Sequence, residues 1–80
     1  MIFNQHFIAI DEYNKVRVTY IDNETEEFYI DPRKYEPSIG IDLQVRNELF
    51  KIRSKFKIKS IHVYTFRDGY ETNTRVINVK

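Results

Sequence analysis

The sequence contains no cysteine and no tryptophan, and only two glycines, two prolines and one alanine. Without cysteine, the chain can form neither a disulfide nor a thiolate metal site. Its two glycines, Gly40 and Gly69, are too far apart to form a glycine-rich phosphate loop. No apolar run approaches the roughly 18 residues of a membrane helix, and residues 1–13 lack the features of a signal peptide. These absences favour a cytoplasmic protein with no membrane association.

Candidate catalytic residues are few, because only His6 and His62 titrate near neutral pH without a large pKa shift. The two histidines are far apart in the sequence and do not have the spacing of metal ligands. The acidic stretch 22–27 lacks the spacing and the glycine of an EF-hand loop, and is more typical of a solvated turn. We therefore predict a protein that is not an enzyme, with no catalytic residue, no cofactor and no metal.

Large hydrophobic side chains are abundant, with six Phe, six Tyr and eleven Ile among 80 residues. A short chain buries only about 60–65% of its unfolded surface, and each buried aromatic ring removes roughly 150–250 Å² from water. The 41% hydrophobic and 31% charged composition is that of a globular protein and not of a disordered tail. We predict one small domain over residues 1–80.

Alternating polar and apolar residues predict three strands in the first part of the chain, over His6–Asp11, Lys15–Asp22 and Glu26–Asp31. We interpret the intervening residues 12–14 as a turn with Asn14 in a left-handed conformation. The third strand is expected to place Phe28 beside Tyr20. Pro32 then ends this antiparallel meander, because proline cannot donate to a sheet.

A helical period follows a short connector and predicts one helix from Asp42, interpreted as its cap, to Lys57. Apolar residues recur there every three or four positions and form the predicted buried stripe, namely Val45, Leu49, Ile52 and Phe56. Six Lys and Arg residues fall between positions 46 and 59, against Glu48 alone. The sequence therefore predicts a single basic, amphipathic helix.

The remaining residues predict a hairpin of two strands, Ile58–Arg67 and Tyr70–Val79. Asp68-Gly69 between them is a strong signal for a two-residue type I′ turn. Pairing outward from this turn is expected to set Ile61 opposite Val76 on the core face. The complete order is β-β-β-α-β-β, an α+β fold in which a meander and a C-terminal hairpin pack against a single helix.

The net charge of +1 conceals an uneven distribution. Residues 1–42 carry four Lys and Arg against nine carboxylates, whereas residues 43–80 carry nine against three. Such an asymmetry can mark an interaction surface. The alternative interpretation is that two halves of one domain attract each other.

A helical wheel places a row of cations beside the predicted stripe, and Leu43 and Phe50 stack beyond it, seven residues apart. An exposed aromatic side chain bordered by arginines is typical of an interface anchor. If Leu43 and Phe50 are instead covered, both residues widen the core, and the lysines only keep the helix surface in contact with water. We predict that five residues contact a partner, namely Leu43, Arg46, Phe50, Arg53 and Lys57.

The function that these features favour is that of a small interaction protein that binds a protein partner and could inhibit it. The composition is that of an A+T-rich gene, and short chains of this kind are common in phages and mobile elements, where many inhibit a host enzyme or defence system. An alternative function is nucleic-acid binding, in which aromatic Tyr64 and Phe66 assist the cations Arg46, Arg53, Lys55, Lys57 and Lys59. A homodimer formed through a free sheet edge is a further alternative.

Overall fold

The structure, a computed structural model, describes residues 12–77 and Val79. Four strands form one antiparallel sheet in the order β2-β1-β3-β4, with bounds β1 Glu12–Tyr20, β2 Thr25–Ile30, β3 Ile58–Arg67 and β4 Tyr70–Ile77. One α-helix, α1, covers Ile41–Asn47, and three short 3₁₀ turns cover Pro32–Lys34, Leu49–Lys51 and Lys55–Lys57. The predicted α+β class is confirmed. The predicted strand His6–Asp11 lies outside the described residues.

One face of the sheet carries the core, since alternate side chains of each strand point to the same side. The buried apolar residues of the four strands are Val16, Val18, Tyr20, Phe28, Ile30, Ile61, Val63 and Ile77. Val45 of α1 and Ile52, which follows it, belong to the same cluster. The segment between β2 and β3 therefore covers this face.

The predicted turn at residues 12–14 is wrong, because β1 already begins at Glu12. These residues pair with β3, and the buried side chain of Asn14 accepts a hydrogen bond of 2.7 Å from the hydroxyl of Thr65. The left-handed asparagine is instead Asn23, at φ 72°, in the loop between β1 and β2. Whether these residues pair with a distant strand depends on long-range contacts, which local turn preferences do not predict.

Phe28 lies opposite Val16 and not beside Tyr20 as predicted, because the turn between β1 and β2 is centred on Asp22 and not on Glu24. The predicted and observed registers differ by an even number of residues. Side chains alternate between faces with a period of two, so an even shift keeps each of them on its predicted face. The core face of this hairpin was therefore predicted correctly from a wrong register.

The β3–β4 hairpin contains the predicted two-residue turn, with Asp68 at φ 54° and Gly69 at φ 87°. Its register shifts by one residue next to Thr65, which is a β-bulge. An odd shift exchanges the two faces of the following residues. Val76, predicted to face the core, is 63% exposed, whereas Ile77 is only 4% exposed.

The predicted single helix over residues 42–57 is wrong at both ends. Gly40 occupies the N-cap position, and Asp42 lies in the first turn, where its carboxylate is 3.6 Å from the guanidinium of Arg75. The α-helical part of the segment ends at Asn47, and Ile52 has extended backbone with ψ 155°.

Side chains of the β1–β2 hairpin explain why the helix does not continue. A helix reaching Lys57 would direct the backbone N–H of Arg53 to a carbonyl four residues earlier. Instead this N–H donates to the carboxylate of Glu26 at 2.8 Å, and the next N–H, of Ser54, donates to the hydroxyl of Tyr20 at 3.4 Å. The hydroxyl of Tyr20 itself donates to Glu26. Two backbone N–H groups that would donate within a longer helix therefore donate to the β1–β2 hairpin instead.

Candidate functional site

An open apolar groove of about 210 Å³ lies between the end of α1 and the adjoining ends of β3 and β4. Its apolar lining consists of Val45, Leu49, Ile58, Ile61, Ile77 and Val79. Arg46, Lys55 and Phe56 complete the lining with two cations and an aromatic ring. We refer to this surface, together with Lys57, which lies between Phe56 and Ile58 in the sequence, as the basic groove.

Phe56 is 97% exposed, although the helical spacing predicts that it is buried. Val45 and Ile52 of the same predicted stripe are buried, and Leu49 is partly buried. The difference arises because the extended backbone at Ile52 interrupts the helical period, and Phe56 then falls in a separate 3₁₀ turn. The predicted core position of Phe56 is therefore wrong, and the ring stands in solvent beside the groove.

The six cations of residues 46–59 fall into two groups, of which the first is held by other side chains. The ammonium of Lys51 lies 2.8 Å from the buried Glu48, and Lys59 donates to the side chain of Asn23 at 3.1 Å. Arg53 lies 3.6 Å from the carboxylate of Glu24 and 5.1 Å from the centre of the Tyr20 ring. These three cations are therefore occupied within the domain.

The second group consists of Arg46 and Lys55, which line the groove, and Lys57, which follows Phe56 in the sequence; all three are exposed. Among residues 12–77 and Val79, no carboxylate oxygen lies within 4.0 Å of their charged groups. The groove therefore combines an apolar lining with positive charge that the described part of the chain does not neutralise.

A buried ion network lies on the other side of α1, around Glu48, whose side chain is 1% exposed. The ammonium of Lys34 donates to Glu48 Oε2 at 2.8 Å, and the hydroxyl of Tyr35 donates to the same oxygen at 2.6 Å. Lys51 contacts Oε1 at 2.8 Å. A buried carboxylate is tolerated when it is paired and hydrogen-bonded in this way.

The network shifts the pKa values of both acidic groups in it. Burial alone raises the pKa of Glu48, but hydrogen bonds from Lys34, Lys51 and Tyr35 outweigh it and hold this pKa at about 2. Burial and the negative charge of Glu48 raise the pKa of Tyr35 to about 12. Glu48 is therefore ionised at neutral pH, and it joins α1 to the connector that follows β2.

The five predicted partner-binding residues are distributed over two sides of this segment. Leu43 and Phe50 are 48% and 66% exposed, so they do not widen the core. Arg46 lines the basic groove and Lys57 is exposed next to Phe56 in the sequence, whereas Arg53 lies beside Glu24 of the β1–β2 hairpin. No local pattern reveals that Phe56 and Lys55 belong to the groove, because the interruption of the helix depends on hydrogen bonds from a distant hairpin.

The face of the sheet opposite the core carries a second group of aromatic side chains. The rings of Tyr13 and Phe66 stack with centroids 5.2 Å apart, and His62 stacks on Tyr64 at 6.4 Å. The ammonium of Lys15 lies 5.5 Å from the centre of the Tyr64 ring. These rings thus contact one another and nearby cations, which stabilises the face itself.

Across residues 12–77 and Val79, no three His, Asp or Glu side chains come together in a group that could hold a metal ion. No helix in that part of the structure is both long and apolar enough to cross a bilayer. His62 lies in β3, while His6 is outside the described residues. No family model, curated protein or solved structure matches this chain.

Proposed function

We propose that this chain is a small, non-enzymatic interaction protein that binds a protein partner through the basic groove. The observation that carries the proposal is the position of Phe56, whose ring is 97% exposed beside an apolar groove. Aromatic residues and arginine are enriched at protein interfaces, where they commonly act as anchors, and Arg46 lines the groove beside Phe56. Within the domain itself, the ring covers little apolar surface, so its exposure has no evident structural benefit.

The interface extends from the basic groove to Leu43 and Phe50, which are exposed on the segment that also carries Arg46. Leu43 precedes Arg46 by one helical turn, so their side chains lie on the same side of α1. Arg53, also predicted to contact the partner, lies on the side of the segment that faces the β1–β2 hairpin, 3.6 Å from Glu24 and 5.1 Å from the centre of the Tyr20 ring. For a chain encoded by a phage or mobile element, the expected partner is a cytoplasmic host enzyme or defence protein that is inhibited on binding.

Affinity capture from a lysate of the encoding organism tests this proposal, with Phe56→Ser as the variant. Wild type is expected to retain one or a few proteins that the variant loses, because the variant lacks the aromatic anchor. The matched control is Tyr70→Ser, which removes a ring that is 77% exposed on the β3–β4 hairpin. Retention of the same proteins by wild type, the control and Phe56→Ser would contradict the proposal.

Nucleic-acid binding is the second candidate function, and it is supported by the exposed cations Arg46, Lys55 and Lys57, which no carboxylate of the described residues contacts. Such binding would be nonspecific and would weaken steeply with salt, because phosphate contacts release counterions. The contacts of Tyr64 and Phe66 with neighbouring cations weigh against base stacking on the opposite sheet face. A gel shift of single-stranded DNA across a salt series tests this candidate, and absence of a shift at low salt would exclude it.

A further inference from the structure

We infer that the partner presents a short acidic segment to the basic groove, with one large apolar side chain seated against the apolar lining. This inference rests on the proposed function and specifies the chemistry of the partner. Two properties of the groove lead to it, namely its volume and the charge around it.

The volume of the groove limits what it can hold. Pockets for drug-sized ligands and cofactors typically measure about 300–1,000 Å³, whereas the basic groove measures about 210 Å³. It is therefore too small for such a ligand, but it suits a single leucine, methionine or phenylalanine side chain. One anchor residue in an apolar pocket is a common arrangement at the centre of a protein interface.

The charge around the groove distinguishes an acidic segment from a second copy of this chain. In a symmetric dimer, Phe56 of each copy could enter the groove of the other, since a two-fold interface brings the same patch of both subunits together. That arrangement would also bring two sets of Arg46, Lys55 and Lys57 together, and like charges across an interface cost several kcal/mol. Carboxylates on the partner would instead pair with these three cations, which have no carboxylate within 4.0 Å among residues 12–77 and Val79.

An oligonucleotide fits the groove less well than a peptide, although it is also negatively charged. The lining apart from Arg46 and Lys55 is apolar or aromatic, and a phosphate backbone could not use it. A peptide can satisfy the cations and the apolar lining together.

Selection from a display library of random 12-residue peptides tests this inference on the full chain. Selected peptides are expected to share one large apolar residue flanked by Asp or Glu. Fluorescence anisotropy then compares wild type with a double variant, Arg46→Gln with Lys55→Gln, for which we expect at least tenfold weaker binding. The matched control, Lys59→Gln with Arg67→Gln, removes the same charge elsewhere, and we expect its affinity to stay within twofold of wild type.

Several results would overturn the inference. These are the absence of selected peptides, the selection of neutral or basic peptides, and equal binding by wild type and the double variant. A dimer in sedimentation that Phe56→Ser dissociates would assign the groove to a second copy. Tight, groove-localised binding of a 12-nucleotide oligothymidylate would assign it to nucleic acid. If affinity capture still depends on Phe56 while the peptides are not acidic, only this inference fails, and the proposed function stands.

Discussion

Two groups of lysine and arginine side chains lie around one short segment, and they differ in whether a carboxylate of the described residues is paired with them. At the buried ion network, Lys34 and Lys51 each lie 2.8 Å from the side chain of Glu48. At the basic groove, Arg46 and Lys55 are exposed and have no carboxylate partner in the described part of the chain. The first group attaches the segment to the domain, whereas the second leaves positive charge available to a partner.

The comparison shows that the number of basic residues in a segment does not measure its binding surface. Six cations lie between residues 46 and 59, yet only Arg46, Lys55 and Lys57 have no side-chain partner in the described structure. The others are held by Glu48, by Glu24 with Tyr20, and by Asn23. Contacts with other side chains of the domain therefore distinguish these cations from the ones at the groove.

The largest expected effect on stability distinguishes Ile52 from Phe56, which the helical pattern places in the same buried stripe. Ile52→Ala should lower the free energy of unfolding by about 3 kcal/mol, because Ile52 is buried in the core. Phe56→Ala should change it by less than about 0.5 kcal/mol, because the ring is in solvent. Urea denaturation of both variants measures the difference. Similar losses for the two variants would place Phe56 in the core and remove the basis of the groove as a binding site.

Residues with local signals were predicted well from the sequence. The Asp68-Gly69 turn was identified because its positive φ angles require such residues, and the core face of β1 and β2 follows from alternation alone. Leu43 and Phe50 were correctly separated from the buried stripe by the helical wheel, since both are exposed. These features depend on neighbouring residues and on periodicity.

The features that were mispredicted depend on contacts between distant parts of the chain. Glu26 and Tyr20 interrupt the predicted helix from more than twenty residues away, which no helical wheel can show. The bulge beside Thr65 exchanges Val76 and Ile77 between faces, and it has no strong signature in the sequence. The groove itself forms only where α1, β3 and β4 meet, so its lining could not be assembled from any single segment.

The buried network provides the next prediction, in which Glu48→Gln removes the charge and preserves the shape. The variant should lose about 2–3 kcal/mol of stability in urea denaturation, since breaking a buried ion pair costs about 3–5 kcal/mol and both lysines here are partly exposed. Glu36→Gln is the matched control, because Glu36 is exposed and should change stability by less than about 0.5 kcal/mol. Equal stability of the two variants would show that the network does not stabilise the domain.

The dependence of stability on pH separates the charge of Glu48 from its packing. Its pKa of about 2 in the folded protein lies below the ordinary value of 4.5, so the folded state binds the proton less readily than the unfolded state. The stabilisation is therefore complete above about pH 5 and is lost as the pH falls through 4.5 toward 2. Between pH 7 and pH 3, wild type should lose about 2 kcal/mol more than Glu48→Gln, which has no carboxylate to protonate. If the free energies of unfolding of the two proteins change with pH in parallel, Glu48 stabilises the domain through its shape alone. The difference between the cations around Glu48 and those at the basic groove would then not be electrostatic.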